Sequence, residues 1–343
     1  MKALVLEEYN RLVVTEVPDP EPAPDEVLVE VRACGICGSD VHGMDGSTGR
    51  RRPPIIMGHE AAGVIESLGG DVAGWKPGER VTFDSTIYCG SCWFCRRGEV
   101  NLCDNRRVLG VSCAEYRRHG AFAEKVAVPA RILYRLPDET GFEQAAMAEA
   151  ASVAVHAVGR LPAAQGITAA VVGTGMIGLL VVQALRAAGC GRVVAVDLDQ
   201  DRLARARAFG ADSTVRADHS DAAQAVWSLS DGRGADAAFE VVGNSAALQT
   251  AMGCLRKGGT LVLVGNLQPR VDLALQEVVT RQLSLLGSCA SSGEYPTVLE
   301  MMAQRTIDVA PLISAVAPLS EGAEWFRRLY SKEQGLMKVV LRP

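Results

Sequence analysis

The stretch Ala170-Val171-Val172-Gly173-Thr174-Gly175-Met176-Ile177-Gly178 runs an apolar strand into Gly-x-Gly-x-x-Gly, then into the apolar-periodic helix Leu179-Leu180-Val181-Val182-Gln183-Ala184-Leu185. That is the form of a dinucleotide-binding turn. Gly173 permits the tight turn, Gly175 lets backbone approach a pyrophosphate, and Gly178 lets the helix pack on the strand. The helix N-terminus offers free N–H groups and the positive end of its dipole, so Met176 and Ile177 join the glycines as candidate phosphate contacts. Glycine spacing alone is a weak signal. The next apolar run, Arg192-Val193-Val194-Ala195-Val196-Asp197, completes it with an acid about 20 residues on, where the ribose hydroxyls of NAD are gripped. The charge of Asp197 would repel a 2′-phosphate, and Leu198, Asp199 and Asp201 supply no cation to offset it, so NAD rather than NADP is expected. Arg202, on the helix expected over 199–209, is a candidate adenine contact or a solvated helix residue.

Around this turn the chain alternates strand and helix, with strands expected at 169–173, 193–197, 213–216, 235–242, 260–265 and 284–286. Such alternation is the pattern of a parallel, doubly wound sheet. Val241, Val264, Gly265, Asn266 and Ser288, at or just past the ends of its later strands, complete the candidate cofactor contacts. The N-terminal part reads differently. Short strands at 3–7, 12–17, 26–32, 63–68, 80–83 and 121–128, separated by turns such as Lys76-Pro77-Gly78-Glu79, suggest a small β-barrel. Helices over 142–161, 294–304 and 321–331 and a last strand over 337–341 follow the same reading, the last strand rejoining the first domain. The expected division is therefore 1–150 with 288–343, and 151–287.

Bulk composition agrees with two soluble domains: 343 residues, 48% hydrophobic and 22% charged. A net charge of -5 argues against nucleic acid as a partner recruited by bulk charge. The first eight residues are too short and acidic for a secretory signal, and the apolar region 167–185 is broken by glycines, so neither export nor a membrane span is expected. The expected location is the cytoplasm, and the expected partners are small molecules or further copies of the chain. Ten cysteines in such a chain point to metal rather than to disulfides.

Two cysteine clusters bear on that. Cys34-Gly35-Ile36-Cys37-Gly38-Ser39-Asp40-Val41-His42 is followed, after an arginine-rich loop, by Met57-Gly58-His59-Glu60. A cysteine, a histidine and carboxylates at strand ends are what a catalytic zinc needs, three protein ligands with one position left open. Cys34 is read as a packing cysteine. The second cluster is Cys89, Cys92, Cys95 and Cys103, four thiolates at a spacing that closes a tetrahedral structural zinc site and orders a polar loop. Glu149 sits in the small, apolar Ala145-Ala146-Met147-Ala148-Glu149-Ala150-Ala151, where a carboxylate needs either water or a partner such as a metal.

With these residues in place the chain resembles the zinc-dependent medium-chain dehydrogenases of the alcohol, polyol and threonine group, over essentially its whole length. The motifs that carry the resemblance are Gly35 to His42, Gly58-His59-Glu60, the four-cysteine lobe, Gly120-Ala121-Phe122-Ala123-Glu124, the helix around Glu149, Gly173 to Gly178, and Asp197. It implies an α/β protein with a GroES-like β-barrel catalytic domain and a Rossmann domain. It implies one catalytic and one structural zinc, with Cys37 and His59 as catalytic ligands and Glu60 and Glu149 ligating directly or through water. Ser39 and His42 stand at the spacing of the family's proton relay. A cysteine stands in place of Glu149 in classical alcohol dehydrogenases, which points to the polyol and threonine branch; Ala150 replaces the proline common after that glutamate. Relatives assemble as dimers or tetramers, and a homo-oligomer is expected. The implied reaction is oxidation of a secondary alcohol by NAD. A non-catalytic nucleotide-binding member is the distant alternative, set aside because the metal ligands are present.

Two stretches concern the substrate. Sorbitol-type enzymes place an arginine just after the last sheet strand, whereas this chain has Gly287-Ser288-Cys289-Ala290-Ser291-Ser292. Arg50-Arg51-Arg52 precedes the second half of the zinc motif and reads either as a solvated loop or as a dock for an anionic substrate end. The expectation is a sugar alcohol oxidised to a ketose, a phosphorylated polyol being the favoured variant and L-threonine or another amino alcohol the alternative.

Overall fold

The strand Glu26–Gly35 alternates so as to bury Val27, Val29, Val31 and Ala33, and its neighbours on both sides hold it at the centre of a sheet. Glu60–Leu68 pairs antiparallel along one edge, and Lys125–Pro129 and Lys338–Arg342 pair antiparallel with it elsewhere. The sheet continues through Arg80–Phe83 to Leu133–Arg135 at one end and to Ile313–Pro318 at the other. A three-stranded sheet of Arg11–Glu16, Lys2–Glu8 and Ile55–Ile56 accompanies it, and the barrel core between them includes Leu4, Leu6, Val29, Ile65, Phe83 and Phe122. Phe122 meets Phe326 edge to face at 5.6 Å, which ties the helix Gly322–Tyr330 into the same core.

This computed structural model describes residues 1–218 and 221–343, and packing divides the chain into two units. The first comprises Met1–Glu149, Tyr295–Gln304 and Val309–Pro343, the second Ala150–Glu294 and Arg305–Asp308. Ala150 and residues 288–294 and 305–308 thus pack with the second unit, where the sequence reading joined them to the first. Three local differences are instructive. The segment expected as a strand over 121–128 becomes one only at Lys125, because the Ala121 and Phe122 N–H groups donate to Gly58 O and Met57 O instead of to a ladder. The helix expected over 142–161 breaks into Phe142–Ala145 and Ala148–Gly159, Met147 N turning early onto Gln144 O at 2.8 Å. The strand Ile313–Pro318, half-exposed and ending in proline, was not expected at all; it pairs parallel with Lys338–Arg342.

In the second unit six strands run parallel in the order Ser213–Arg216, Arg192–Asp197, Thr168–Val172, Ala235–Glu240, Leu255–Leu263, Ser284–Gly287. The inner strands are buried on both faces, as a sheet covered by helices on both sides requires. Strand order reverses between Thr168–Val172 and Ala235–Glu240, and the crevice beyond their carboxyl ends is where such sheets bind ligands. Among the described residues no helix is long and apolar enough to cross a membrane.

Candidate functional site

Register assembles the metal-type site. Gly35 pairs with Glu60 and Cys34 with Ala61, so Cys37, two residues past Gly35, comes to lie beside His59, the residue just before Glu60. The sulfur of Cys37, a His59 ring nitrogen and a Glu60 carboxylate oxygen all lie within 4.8 Å of one another. Two glycines make the approach possible. At Gly35 a Cβ would stand 2.5 Å from Glu60 Oε2, and at Gly58, with φ +93°, one would stand 2.9 Å from both Phe122 N and Cys34 Sγ. Cys34 is fully buried against that turn and burial pushes its thiol well up, which suits packing rather than ligation.

Behind His59 lies a charged relay that the sequence reading missed. Asp40 Oδ2 stands 3.4 Å from His59 Nδ1, and Asp40 Oδ1 accepts from Arg51 Nη2 at 2.9 Å and Nε at 3.2 Å. Burial works against the Asp40 charge, yet His59 and Arg51 outweigh it and hold the carboxyl well below the usual range. Burial likewise opposes a charged His59, but Asp40 and Cys37 prevail and raise it well above its ordinary value. A carboxylate behind a histidine fixes the ring and raises its basicity toward a metal on the other nitrogen. Arg51 is therefore not a free anion dock: it is 4% exposed and committed to Asp40, with Gly43 leaving room for its stem. Asp40 sat within the quoted motif, but only burial and partnership reveal its part.

A second partner arrives from far along the chain. Lys338 Nζ donates to Glu60 Oε2 and, at 3.0 Å, to Ile36 O. Glu60 Oε1, buried, has no hydrogen-bond partner among the described residues. The arrangement fits a zinc ion: a thiolate, an imidazole, and a carboxylate whose second oxygen is tied back while its first is left over. Glu149 lies outside this three-residue group, although it feels His59, Glu60, Asp84 and Lys338; burial holds its carboxyl up to about 7. Ser39 and His42 lie three residues apart on the exposed side of the helix Gly38–Gly43, and Ser39 Oγ accepts from Arg51 Nη2 at 3.4 Å.

The lobe cysteines also converge. The sulfurs of Cys89, Cys92, Cys95 and Cys103 lie within 4.8 Å of one another in a segment whose regular structure is two short turns, Cys95–Arg97 and Val100–Leu102. Backbone N–H groups point at sulfur, from Cys92 to Cys89 at 3.3 Å, from Cys89 to Cys103 at 3.2 Å and from Asn105 to Cys103 at 3.3 Å. Donation from Ser91 and Cys92 lowers Cys89 to about 5, the thiolate that a metal takes. Apolar cover is thin, Trp93 being 55% exposed, so a metal is the natural source of order there.

In the second unit the three glycines have three distinct surroundings. A Cβ at Gly173, φ +93°, would meet Val242 Cγ2 at 2.5 Å, and one at Gly178 would meet Gly173 O at 1.9 Å. One at Gly175 would meet nothing within 4 Å, which leaves the open approach that a pyrophosphate needs ahead of the helix Met176–Ala187. Asp197 ends its strand with four acceptor positions engaged: Oδ2 by Thr174 N at 2.6 Å and Thr174 Oγ1 at 3.0 Å, Oδ1 by Leu198 N at 2.8 Å and Asp199 N at 3.0 Å. Val241, Val264, Gly265, Asn266 and Ser288 follow the carboxyl ends of the neighbouring strands, and Gly265 packs a bare Cα against Gly243. Ser288 Oγ is buried without a hydrogen-bond partner among the described residues. Arg202 is exposed, 4.0 Å from Asp199, as a solvated helix residue would be.

Comparison with known proteins bears on both units. Residues 23–138 match the family model of the alcohol dehydrogenase GroES-like domain, and residues 177–304 match that of zinc-binding dehydrogenase. The chain belongs to the zinc-dependent medium-chain dehydrogenases, in the alcohol and polyol group, and is an oxidoreductase with zinc and a nicotinamide dinucleotide as cofactors. It is 32% identical to the sorbitol dehydrogenase of Bacillus subtilis (strain 168) over 347 residues, covering 100% of this chain and 97% of that one. It is 34% identical to the L-threonine 3-dehydrogenase of the same organism over 337 residues, covering 96% and 95%. Among solved structures, galactitol-1-phosphate dehydrogenase from Escherichia coli superposes with a TM-score of 0.92 at 28% identity, covering 100% of each chain. A zinc-binding dehydrogenase from Sinorhizobium meliloti 1021 bound to NADP superposes with a TM-score of 0.90 at 31% identity, covering 100% of this chain and 99% of that one.

Proposed function

We propose that the protein oxidises a secondary alcohol of a sugar alcohol to the ketose, with NAD as hydride acceptor. The observation that carries this reading is the meeting of Cys37, His59 and Glu60 at one point, backed by Asp40. The names of the sorbitol and galactitol-1-phosphate dehydrogenases lend it support on the substrate side. A zinc ion held by Cys37, His59 and Glu60, with Glu149 in reach as a further carboxylate, supplies Lewis acidity that makes an alcohol hydroxyl easier to ionise, and NAD supplies the hydride acceptor.

The chain's own groups do the rest. Asp40 keeps the His59 ring in one orientation, and Arg51 keeps Asp40 in place. Ser39 and His42, three apart on the exposed side of one helix, receive the hydroxyl proton and pass it outward. Because Arg51 already donates to Ser39 Oγ, the serine hydrogen is left to point elsewhere along the relay. Asp197, held at the strand end by Thr174, Leu198 and Asp199, faces the ribose end of the cofactor as a negative charge that disfavours a 2′-phosphate.

A second reading, oxidation of L-threonine or another amino alcohol, is favoured by the 34% identity to L-threonine 3-dehydrogenase. Reduction of NAD and NADP by the purified protein across polyols, amino alcohols and sugar phosphates separates the two, and metal analysis should find about two zinc ions per chain. Activity confined to amino alcohols would replace the first reading by the second. A dimer or tetramer accompanies the proposal. It is supported by the outermost strand Ser284–Gly287 and by Leu275 and Val279 nearby in sequence, 64% and 70% exposed; sedimentation tests it.

A further inference from the structure

Within three residues the arginine loop divides its labour. Arg51 turns inward to Asp40, while Arg50 and Arg52 line a cavity of about 750 Å³ whose wall also holds Arg106, Arg107, Asp104 and Glu115. Four guanidinium groups thus face two carboxylates. The side chains of Arg50, Arg52 and Arg107 make no hydrogen bond or ion pair among the described residues. Their backbones are nonetheless fixed. Arg52 N donates to Ser112 O at 2.9 Å, Ser112 N donates to Arg50 O at 3.2 Å, and Arg107 pairs with Ile87 in a short ladder.

The Glu115 carboxylate is in electrostatic touch with Arg50 and Arg52. Its carboxyl is lowered first by the Cys113 thiol and its own backbone N–H, then by Arg52 and Arg50. It acts as an internal anion beside guanidinium groups that lack other partners. A volume of this size admits a small organic anion. A phosphate dianion, with three terminal oxygens and about two negative charges, can serve more guanidinium forks at once than a carboxylate with two oxygens and one charge.

We propose that this arginine-lined cavity binds a phosphate group, either the monoester of a phosphorylated sugar alcohol or free inorganic phosphate, in competition with Glu115. The first source rests on the sugar-alcohol reading above; the second does not. Arg52→Ala and Arg107→Ala should each weaken binding about tenfold or more, as expected for loss of a charge-assisted hydrogen bond. Glu115→Gln should tighten it.

The test is calorimetric titration of the zinc-loaded protein with inorganic phosphate, for wild type and the three variants. It is paired with kcat/KM for a phosphorylated polyol and its neutral counterpart. Circular dichroism and zinc content verify that each variant is folded. Phosphate binding that falls in both arginine variants and rises in Glu115→Gln supports the site. If the ratio of kcat/KM for phosphorylated over neutral polyol also falls tenfold in the arginine variants, the substrate carries the phosphate. If phosphate binds in this pattern but neither polyol is oxidised, the anion site stands and the sugar-alcohol reading fails. Absence of arginine-dependent phosphate binding, with wild-type selectivity between the two polyols, overturns the site whatever the protein oxidises.

Discussion

The ammonium of Lys338 and the carboxylate of Glu60 form an ion pair in which each side chain is 1% exposed, 278 residues apart in sequence. Removing one partner of such a pair leaves a buried charge and costs about 3 to 5 kcal/mol. Lys338→Met is expected to destabilise the zinc-free protein by about that amount and the zinc-loaded protein by less, because the ion can take over the freed carboxylate. Denaturant unfolding of both forms measures this. Equal losses would mean that the pair only packs the barrel and has no bearing on the metal.

Glu149 gives the zinc-free protein a pH dependence of definite sign. Burial lifts its carboxyl from 4.5 to about 7, so the folded state holds more protons than the unfolded state between those values. Its contribution is fully present below about pH 4.5 and is lost as pH rises through about 7. His59, raised as well, adds a loss in the same direction at higher pH. Thermal midpoints of chelator-treated protein should therefore fall more steeply from pH 5 to 8 in wild type than in Glu149→Gln. Parallel curves for the two proteins would place Glu149 in contact with water.

The proposed preference for NAD rests on Asp197, whose neighbour Leu198 is 63% exposed. Asp197→Ser with Leu198→Arg removes the negative charge and adds a phosphate donor, so the NAD to NADP ratio of kcat/KM should fall by about 10- to 100-fold. Serine keeps one of the acceptors that hold the Thr174 and Leu198 N–H groups. Wild type that uses NADP as well as NAD would refute the role given to Asp197.

Cys92→Ser should leave one zinc fewer per chain and lower the thermal midpoint by roughly 4 °C or more, since the lobe has little apolar packing to fall back on. Zinc content and calorimetry together decide this. An unchanged midpoint with one zinc missing would deny the lobe metal a structural part.

The parts of the fold that announce themselves in sequence are those fixed by local chemistry. Gly173, Gly175 and Gly178 are legible because each meets a constraint within a few residues, a turn, an open approach and a strand beneath a helix. The four lobe cysteines lie within fifteen positions. Partnerships across the chain are not legible in this way. Nothing near Arg51 in sequence distinguishes it from Arg50 and Arg52, and only the fold turns it toward Asp40. Lys338 is one lysine in a short terminal strand until the ladder places Val340 opposite Gly35. The strand Ile313–Pro318 was missed for a related reason: at the sheet edge it carries serine, alanine and proline and has no strong alternation to betray it.

The placing of Lys338 also dictates an order of assembly. The second unit is drawn from one nearly continuous run, so its six-stranded sheet can form as soon as that run is synthesised. The first unit is completed last, because the strand carrying Lys338 is made after that entire sheet and reaches back about 300 residues to Gly35 and Ile36. Closing so long a loop is slow. Until it closes, Glu60 lacks the cation that steadies it in the folded protein. The last strand to be made is thus the one that completes the ion pair beside Cys37 and His59.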